Sequence, residues 1–127
     1  VKEPVIAIID DDESTRSALA GLMRAKGFDA RVFASAEEFL DAGAGSDSQC
    51  VITDIQMPGL SGIDLKRRLD AIACTVPVIM ITARTEKQLH DLAIASGSFC
   101  LLRKPFRTGA LLACVERALA SVPPLPT

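Results

Sequence analysis

At 127 residues the chain has the length of one domain, and with 49% hydrophobic residues it can bury a substantial core. Its net charge of −2, from 14 basic and 16 acidic residues, provides no electrostatic reason to bind nucleic acid. No apolar run approaches the roughly 18 residues of a membrane span and no charged-then-apolar leader precedes the first run, so a cytoplasmic location is expected, with Val1 pointing to an incomplete N-terminus.

The first apolar run, Val5 to Ile9, lacks polar alternation, as expected of a strand covered by helices on both faces, and Asp10, Asp11 and Asp12 follow it directly. Asp12, Glu13 and Ser14 lie where a helix would begin, and Asp12 reads as its cap. Leu19, Leu22 and Met23 recur at helical spacing, and Gly27 stands where that helix would stop in a left-handed conformation. Ala30 to Phe33 is a weaker run that contains Arg31 and fits a sheet edge. Ser35 with Glu38 reads as a capping box opening a second helix. The segment from Gly43 to Ser48 reads as a flexible loop; its G-x-G is a weak dinucleotide signal because it leads into a strand instead of following one.

Cys50 to Thr53 forms the third apolar run, and Asp54 follows it. Leu65, Leu69 and Ile72 mark a third helical stripe. Val76 to Ile81 is the fourth run and ends at Thr82; Leu89 and Leu92 mark the next helix, which Gly97 would close. Phe99 to Leu102 is the fifth run, with Lys104 just beyond it, and Thr108 can cap a last helix carrying Leu111, Leu112, Val115 and Leu119. The segment from Ser121 to Thr127 holds three prolines and cannot extend that helix; residues 1–121 read as the domain and 122–127 as a Pro-rich tail or the start of a linker. No internal repeat or P-loop is present.

Strand and helix alternating five times with short connections predict an α/β fold: a doubly wound, five-stranded parallel sheet with five helices on both faces. In such a sheet ligands bind at the carboxyl ends of the strands, where Asp10, Asp11, Asp54, Thr82 and Lys104 would converge. Three carboxylates within a few ångströms repel one another, so either one keeps its proton or a cation sits among them. Oxygen-only ligands favour a hard ion, and a small site of carboxylates, a carbonyl and waters suits Mg²⁺. With Lys104 and the Thr82 hydroxyl available for phosphate oxygens, the set suggests in-line phosphoryl transfer to or from a carboxylate.

Cys50, Cys74, Cys100 and Cys114 are widely spaced without a C-x-x-C pair, and read as reduced core filler. His90, the single histidine, falls in a polar stretch and reads as a solvated helix residue. Each site residue has a plain structural reading on its own: Asp54 as a loop residue, Thr82 as a strand end, Lys104 as a turn residue beside Pro105. Their common edge argues against coincidence.

The ordered set Asp10-Asp11, Asp54, Met57-Pro58-Gly59-Leu60-Ser61-Gly62, Thr82-Ala83 and Lys104-Pro105-Phe106 resembles the receiver domain of two-component response regulators over nearly the whole chain. The resemblance implies the flavodoxin-like strand order 2-1-3-4-5; receivers are among the known examples of that order, so it comes with the family. It implies Asp54 as the phosphoacceptor for a sensor histidine kinase. Asp11 and Asp54 would ligate Mg²⁺ directly, Asp10 largely through water, and Gln56 through its backbone carbonyl. Thr82 and Lys104 would bind the phosphoryl group and act as the switch, and the surface of the fourth helix, fifth strand and fifth helix would dimerise or engage a partner. The segment Ser35-Ala36-Glu37-Glu38-Phe39-Leu40 is similar to receivers that precede helix-turn-helix transcription domains.

Two features depart from the pattern. Leu101 stands where the family usually carries Tyr or Phe, so the usual ring movement is lost and signalling is expected to rely on the fourth helix. Arg84 and Gln56 occupy positions that tune acyl-phosphate lifetime in the family, with Arg84 expected to point into solvent. Two other readings stay open. Asp10-Asp11-Asp12-Glu13-Ser14 fits the D-x-D-x-T/S pattern of haloacid-dehalogenase-like phosphatases, although those are longer and give Met57-Pro58-Gly59 no role; and the chain fits an interaction module that no longer accepts phosphate.

Overall fold

The computed structural model describes residues 3–45 and 47–121. It contains β1 (Val5–Ile9), α1 (Glu13–Ala25), β2 (Asp29–Phe33), α2 (Ala36–Asp41), β3 (Cys50–Asp54), α3 (Gly62–Ala71), β4 (Val78–Thr82), α4 (Lys87–Ala95), β5 (Cys100–Arg103) and α5 (Thr108–Ser121). The five strands are all parallel, in the order β2-β1-β3-β4-β5. The expected α/β architecture and strand order are both present. The Pro-rich tail and Ser46 lie outside the described residues.

Alternate residues of the inner strands feed two cores, which is why the sequence shows apolar runs and no polar alternation. Ile6, Ile8, Cys50, Ile52, Ile79 and Ile81 pack against α1 and α5. Ala7, Ile9, Val51, Val78 and Met80 pack on the other face against Phe39, Leu65, Leu69 and Ala93 from α2, α3 and α4. Each large side chain fully buried here contributes about 1.5–3 kcal/mol, so the two layers hold the sheet rigid beneath its carboxyl edge. β2 is an edge strand, as expected, with Val32 exposed.

Several boundaries differ from the sequence reading. β4 begins at Val78; Val76 and Pro77 precede it, and the Pro77 carbonyl accepts the Val51 amide at 2.9 Å. β5 begins at Cys100, one residue after Phe99. Thr108 is the first residue of α5 and not its cap: the carbonyl of Arg107 accepts the amides of Ala110 and Leu111. Ile72 and Leu92, placed in the apolar stripes, are 69% and 45% exposed, Ile72 because α3 ends just before it. The connection before β3 is pinned where a loose loop was expected: Ala44 is buried and Ser48 Oγ donates to its carbonyl at 2.8 Å. Among the described residues no helix is long and apolar enough to cross a membrane.

Gly27 and Gly97 do take positive φ, at 89° and 90°. Ala73 does the same without being glycine, at φ 58°, so that its amide and that of Cys74 can reach the carbonyls of Asp70 and Leu69. A Cβ in this conformation is strained. Ala73→Gly is therefore expected to stabilise the domain by about 0.5–1 kcal/mol, after the entropy that glycine itself costs, as read by urea unfolding.

Candidate functional site

Register alone brings the functional side chains together. Ile9 pairs with Thr53, Asp54 with Ile81 and Thr82 with Arg103, so Asp10, Asp54, Thr82 and Lys104 succeed one another along a single edge. Two backbone bonds continue the ladder past the strand ends: the Ile55 amide donates to Ile81 O at 2.9 Å and the Lys104 amide to Thr82 O at 2.8 Å. The Lys104–Pro105 peptide bond is cis.

One carboxylate oxygen from each of Asp10, Asp11 and Asp54 lies within 4.8 Å of the others. Asp10 is buried, Asp54 half-buried and Asp11 exposed. Asp10 is the most committed of the three: Oδ1 accepts the Asp12 amide at 2.9 Å, and the Arg16 guanidinium holds its backbone carbonyl at 2.8 Å. Lys104 Nζ stands 3.5 Å from Asp54 Oδ2 and 3.7 Å from Asp10 Oδ2. Burial raises the Asp54 carboxyl above its ordinary value; Lys104 pulls it down and Asp10 pushes it up again. One ammonium thus does not neutralise the cluster.

That donor set fits a small hard cation. Mg²⁺ prefers a few carboxylate and carbonyl oxygens with the rest of its shell left as water, and three carboxylate oxygens within 4.8 Å of one another supply donors of that kind. Exposed Asp11 leaves an open side for water and a phosphate oxygen. The cysteines offer no competing site: Cys50 and Cys100 are free thiols whose pKa values are pushed up to about 12 and about 11, first of all by burial.

Other expected residues are placed as follows. Asp12 caps α1, accepting the Thr15 amide at 3.2 Å and its hydroxyl at 2.6 Å, which lowers its carboxyl below the ordinary value. Ser35 Oγ accepts the Glu38 amide, while the Glu38 carboxylate reaches the amide of Ala34, one residue beyond a reciprocal box. Arg84 is exposed and pairs with Glu86 at 3.3 Å. Leu101 is half-buried and packs against the α2/α3/α4 core. His90 is not simply solvated: its Nε2 is hydrogen-bonded to the Arg84 carbonyl at 2.9 Å.

Three local contacts escaped the sequence reading, although Ser61, Gly62 and Glu37 lie in segments it quoted. Ser61 and Asp64 form a full capping box at the start of α3, and the pattern Ser-x-x-Asp before Leu65 carried the signal. Gly62 sits so close to β3 that a Cβ there would lie 2.6 Å from the Asp54 carbonyl oxygen, so only glycine lets α3 start beside the site. Glu37 reaches from α2 to the Leu60 amide at 3.4 Å, bracing the connection that carries Gln56.

With this geometry in view, the comparisons with known proteins agree. The family profile of the response regulator receiver domain matches residues 6–116. The transcriptional regulatory protein FixJ of Azorhizobium caulinodans is 37% identical over 114 residues, covering 90% of this chain and 54% of that protein. The crystal structure of FixJ-N superposes with a TM-score of 0.88 at 29% identity, covering 98% of this chain and all of the other. The response regulator StyR superposes at 0.86 with 36% identity, covering 93% of this chain and 60% of that one. The chain belongs to the response regulator receiver family. It spans about half the length of the curated relatives it matches.

The raised carboxyl of Asp54 has a consequence for stability. The unfolded chain releases that proton at lower pH than the folded one, so stability falls as pH rises from the ordinary carboxylate range through the folded value, and the cost is present in full above it. Without divalent cations, Asp54→Asn is expected to melt at higher temperature than the parent at pH 7, with the gain shrinking as pH drops below the ordinary carboxylate range. Thermal scans in EDTA at several pH values measure both.

Proposed function

We propose that this domain is a phosphorylation-dependent switch in which Asp54 accepts a phosphoryl group from a sensor histidine kinase. The observation that carries the reading is the convergence of Asp10, Asp11 and Asp54 with Lys104 at the edge where Thr82 also ends its strand. Asp11, Asp54 and the Gln56 carbonyl would hold Mg²⁺ directly, and Asp10 largely through water; the ion, when bound, neutralises charge on the carboxylates and the transferred group.

An Asp54 oxygen attacks phosphorus, the P–N bond of the phosphohistidine breaks, and the imidazole leaves with its electron pair. Lys104 can move from the carboxylates onto the new phosphoryl oxygens, and the Thr82 hydroxyl can donate to one of them. Hydrolysis then breaks the P–O bond and returns phosphate and the free carboxylate, so the only reaction catalysed is the domain's own transfer and slow dephosphorylation. The phosphatase alternative needs Asp10 as nucleophile, and Asp10 is buried with both carboxylate oxygens engaged.

The output follows by analogy with the relatives. Residues 1–121 act as the receiver of a transcriptional regulator in the cytoplasm, with α4, β5 and α5 as the surface that pairs with a second copy or an effector. Leu101 lies on that surface without a ring, and its packing supports a route to the surface through α4.

Incubation with phosphoramidate and Mg²⁺ is expected to add one base-labile phosphate at Asp54, seen by mass spectrometry and lost in Asp54→Ala. Steady turnover of p-nitrophenyl phosphate that survives Asp54→Ala but not Asp10→Asn would sink the reading in favour of a phosphatase. Leu101→Tyr is expected to alter dimerisation or output while leaving the phosphorylation of Asp54 intact; equal output from both forms counts against the α4 route.

A further inference from the structure

The Thr82 hydroxyl is fully buried, and its single proton is already in use. It donates to the side-chain carbonyl of Gln56, Oε1, at 3.0 Å, while Thr82 Oγ1 accepts the Arg84 amide at 3.0 Å. The opposite orientation of the Gln56 amide would turn an NH₂ donor toward an oxygen already accepting from Arg84 and leave the hydroxyl proton without this acceptor. Thr82 therefore cannot donate to a phosphoryl group on Asp54 while it donates to Gln56.

We propose that the Gln56 carboxamide is a latch that holds the Thr82 hydroxyl in the unphosphorylated arrangement and must let go when Asp54 carries phosphate. The inference rests on the reading of Asp54 as the phosphoacceptor. It gives the Gln56 side chain a role separate from its backbone carbonyl. Competition favours release, because a bond to a charged acceptor is roughly twice as strong as one to a neutral amide. The latch nevertheless subtracts its own strength from phosphoryl binding, on the order of two- to ten-fold in affinity.

Two further observations fit a latch and not merely a satisfied buried hydroxyl. Gln56 lines a groove of about 600 Å³ with Met57, Ser61, Leu89 and Leu92, so the freed carboxamide has room to turn away toward α4. The hydroxyl it holds is also the anchor of the next connection, since Arg84 N–H bonds to Thr82 and Arg84 O is bonded to His90 Nε2 on α4 at 2.9 Å. Opening the latch thus loosens a hydrogen-bonded path from the acidic site to α4.

The test is a double-mutant cycle with beryllofluoride, a stable phosphoryl mimic, at saturating Mg²⁺. Parent, Gln56→Met, Thr82→Val and the double variant are titrated by ¹⁹F NMR, since the chain has no Trp or Tyr to report by fluorescence. Gln56→Met is expected to bind the mimic two- to ten-fold more tightly than the parent, and the gain should vanish in the Thr82→Val background. Gln56→Ala should reproduce the gain. Equal affinity of parent and Gln56→Met, or an equal gain with Thr82→Val present, overturns the latch while leaving the phosphoacceptor reading intact. A parent that binds no beryllofluoride and takes no phosphate from phosphoramidate overturns both.

Discussion

A single ammonium, that of Lys104, bridges Asp54 and Asp10 at 3.5 and 3.7 Å, and the site depends on its being insufficient. At an effective dielectric of about 20, unit charges 4 Å apart interact by about 4 kcal/mol, so a lysine can offset the repulsion of one carboxylate pair but not of three carboxylates together. The Asp54 carboxyl is raised first of all by its burial, with Lys104 pulling it down and Asp10 adding to the rise. A cluster fully neutralised by the protein itself would have no use for a divalent cation; one with surplus negative charge could hold one.

Such a cluster is tolerable only on a frame that does not yield. The frame is the pair of apolar layers on either side of the sheet, which fix the strand ends to within the register of their ladders. Gly62 shows how tightly the parts are drawn together, since α3 begins against the Asp54 carbonyl with no space for one more carbon. The electrostatic cost is concentrated at the edge while the stabilising burial is spread through the interior, a division that lets the edge change charge state without disturbing the fold.

What could be read from the chain follows the same division. Strand positions and the convergence of Asp10, Asp11, Asp54, Thr82 and Lys104 on one edge were legible because each stands at or within two residues of the end of an apolar run, and parallel pairing does the rest. The end of α3 was not, because Ala73 takes a glycine-like φ that its residue type does not announce. Ile72 and Leu92 fit helical stripes but face solvent, since spacing reports which residues share a helix face and not how far the neighbouring layer extends. The Gln56–Thr82 hydrogen bond was out of reach for another reason. It joins residues 26 apart through side-chain rotamers, and no periodicity encodes it.

Leu101 leaves β5 without an aromatic ring at this position. A leucine half-buried against Met80's layer has no polar atom to exchange and no ring to turn, so moving it would only open space in a packed core. A path through α4 would consist of hydrogen bonds with directional demands: the Thr82 hydroxyl donates to Gln56 Oε1, the Arg84 amide donates to Thr82 Oγ1, and the Arg84 carbonyl is bonded to His90 Nε2. Breaking the first of these changes where the second can be made, and the third lies on the helix that carries exposed Leu92 and Ile94. A change of hydroxyl direction at a buried threonine is small, but the connection it anchors is short and the helix beyond it presents apolar surface, so under the proposed switch even a modest shift there would change what a second molecule meets.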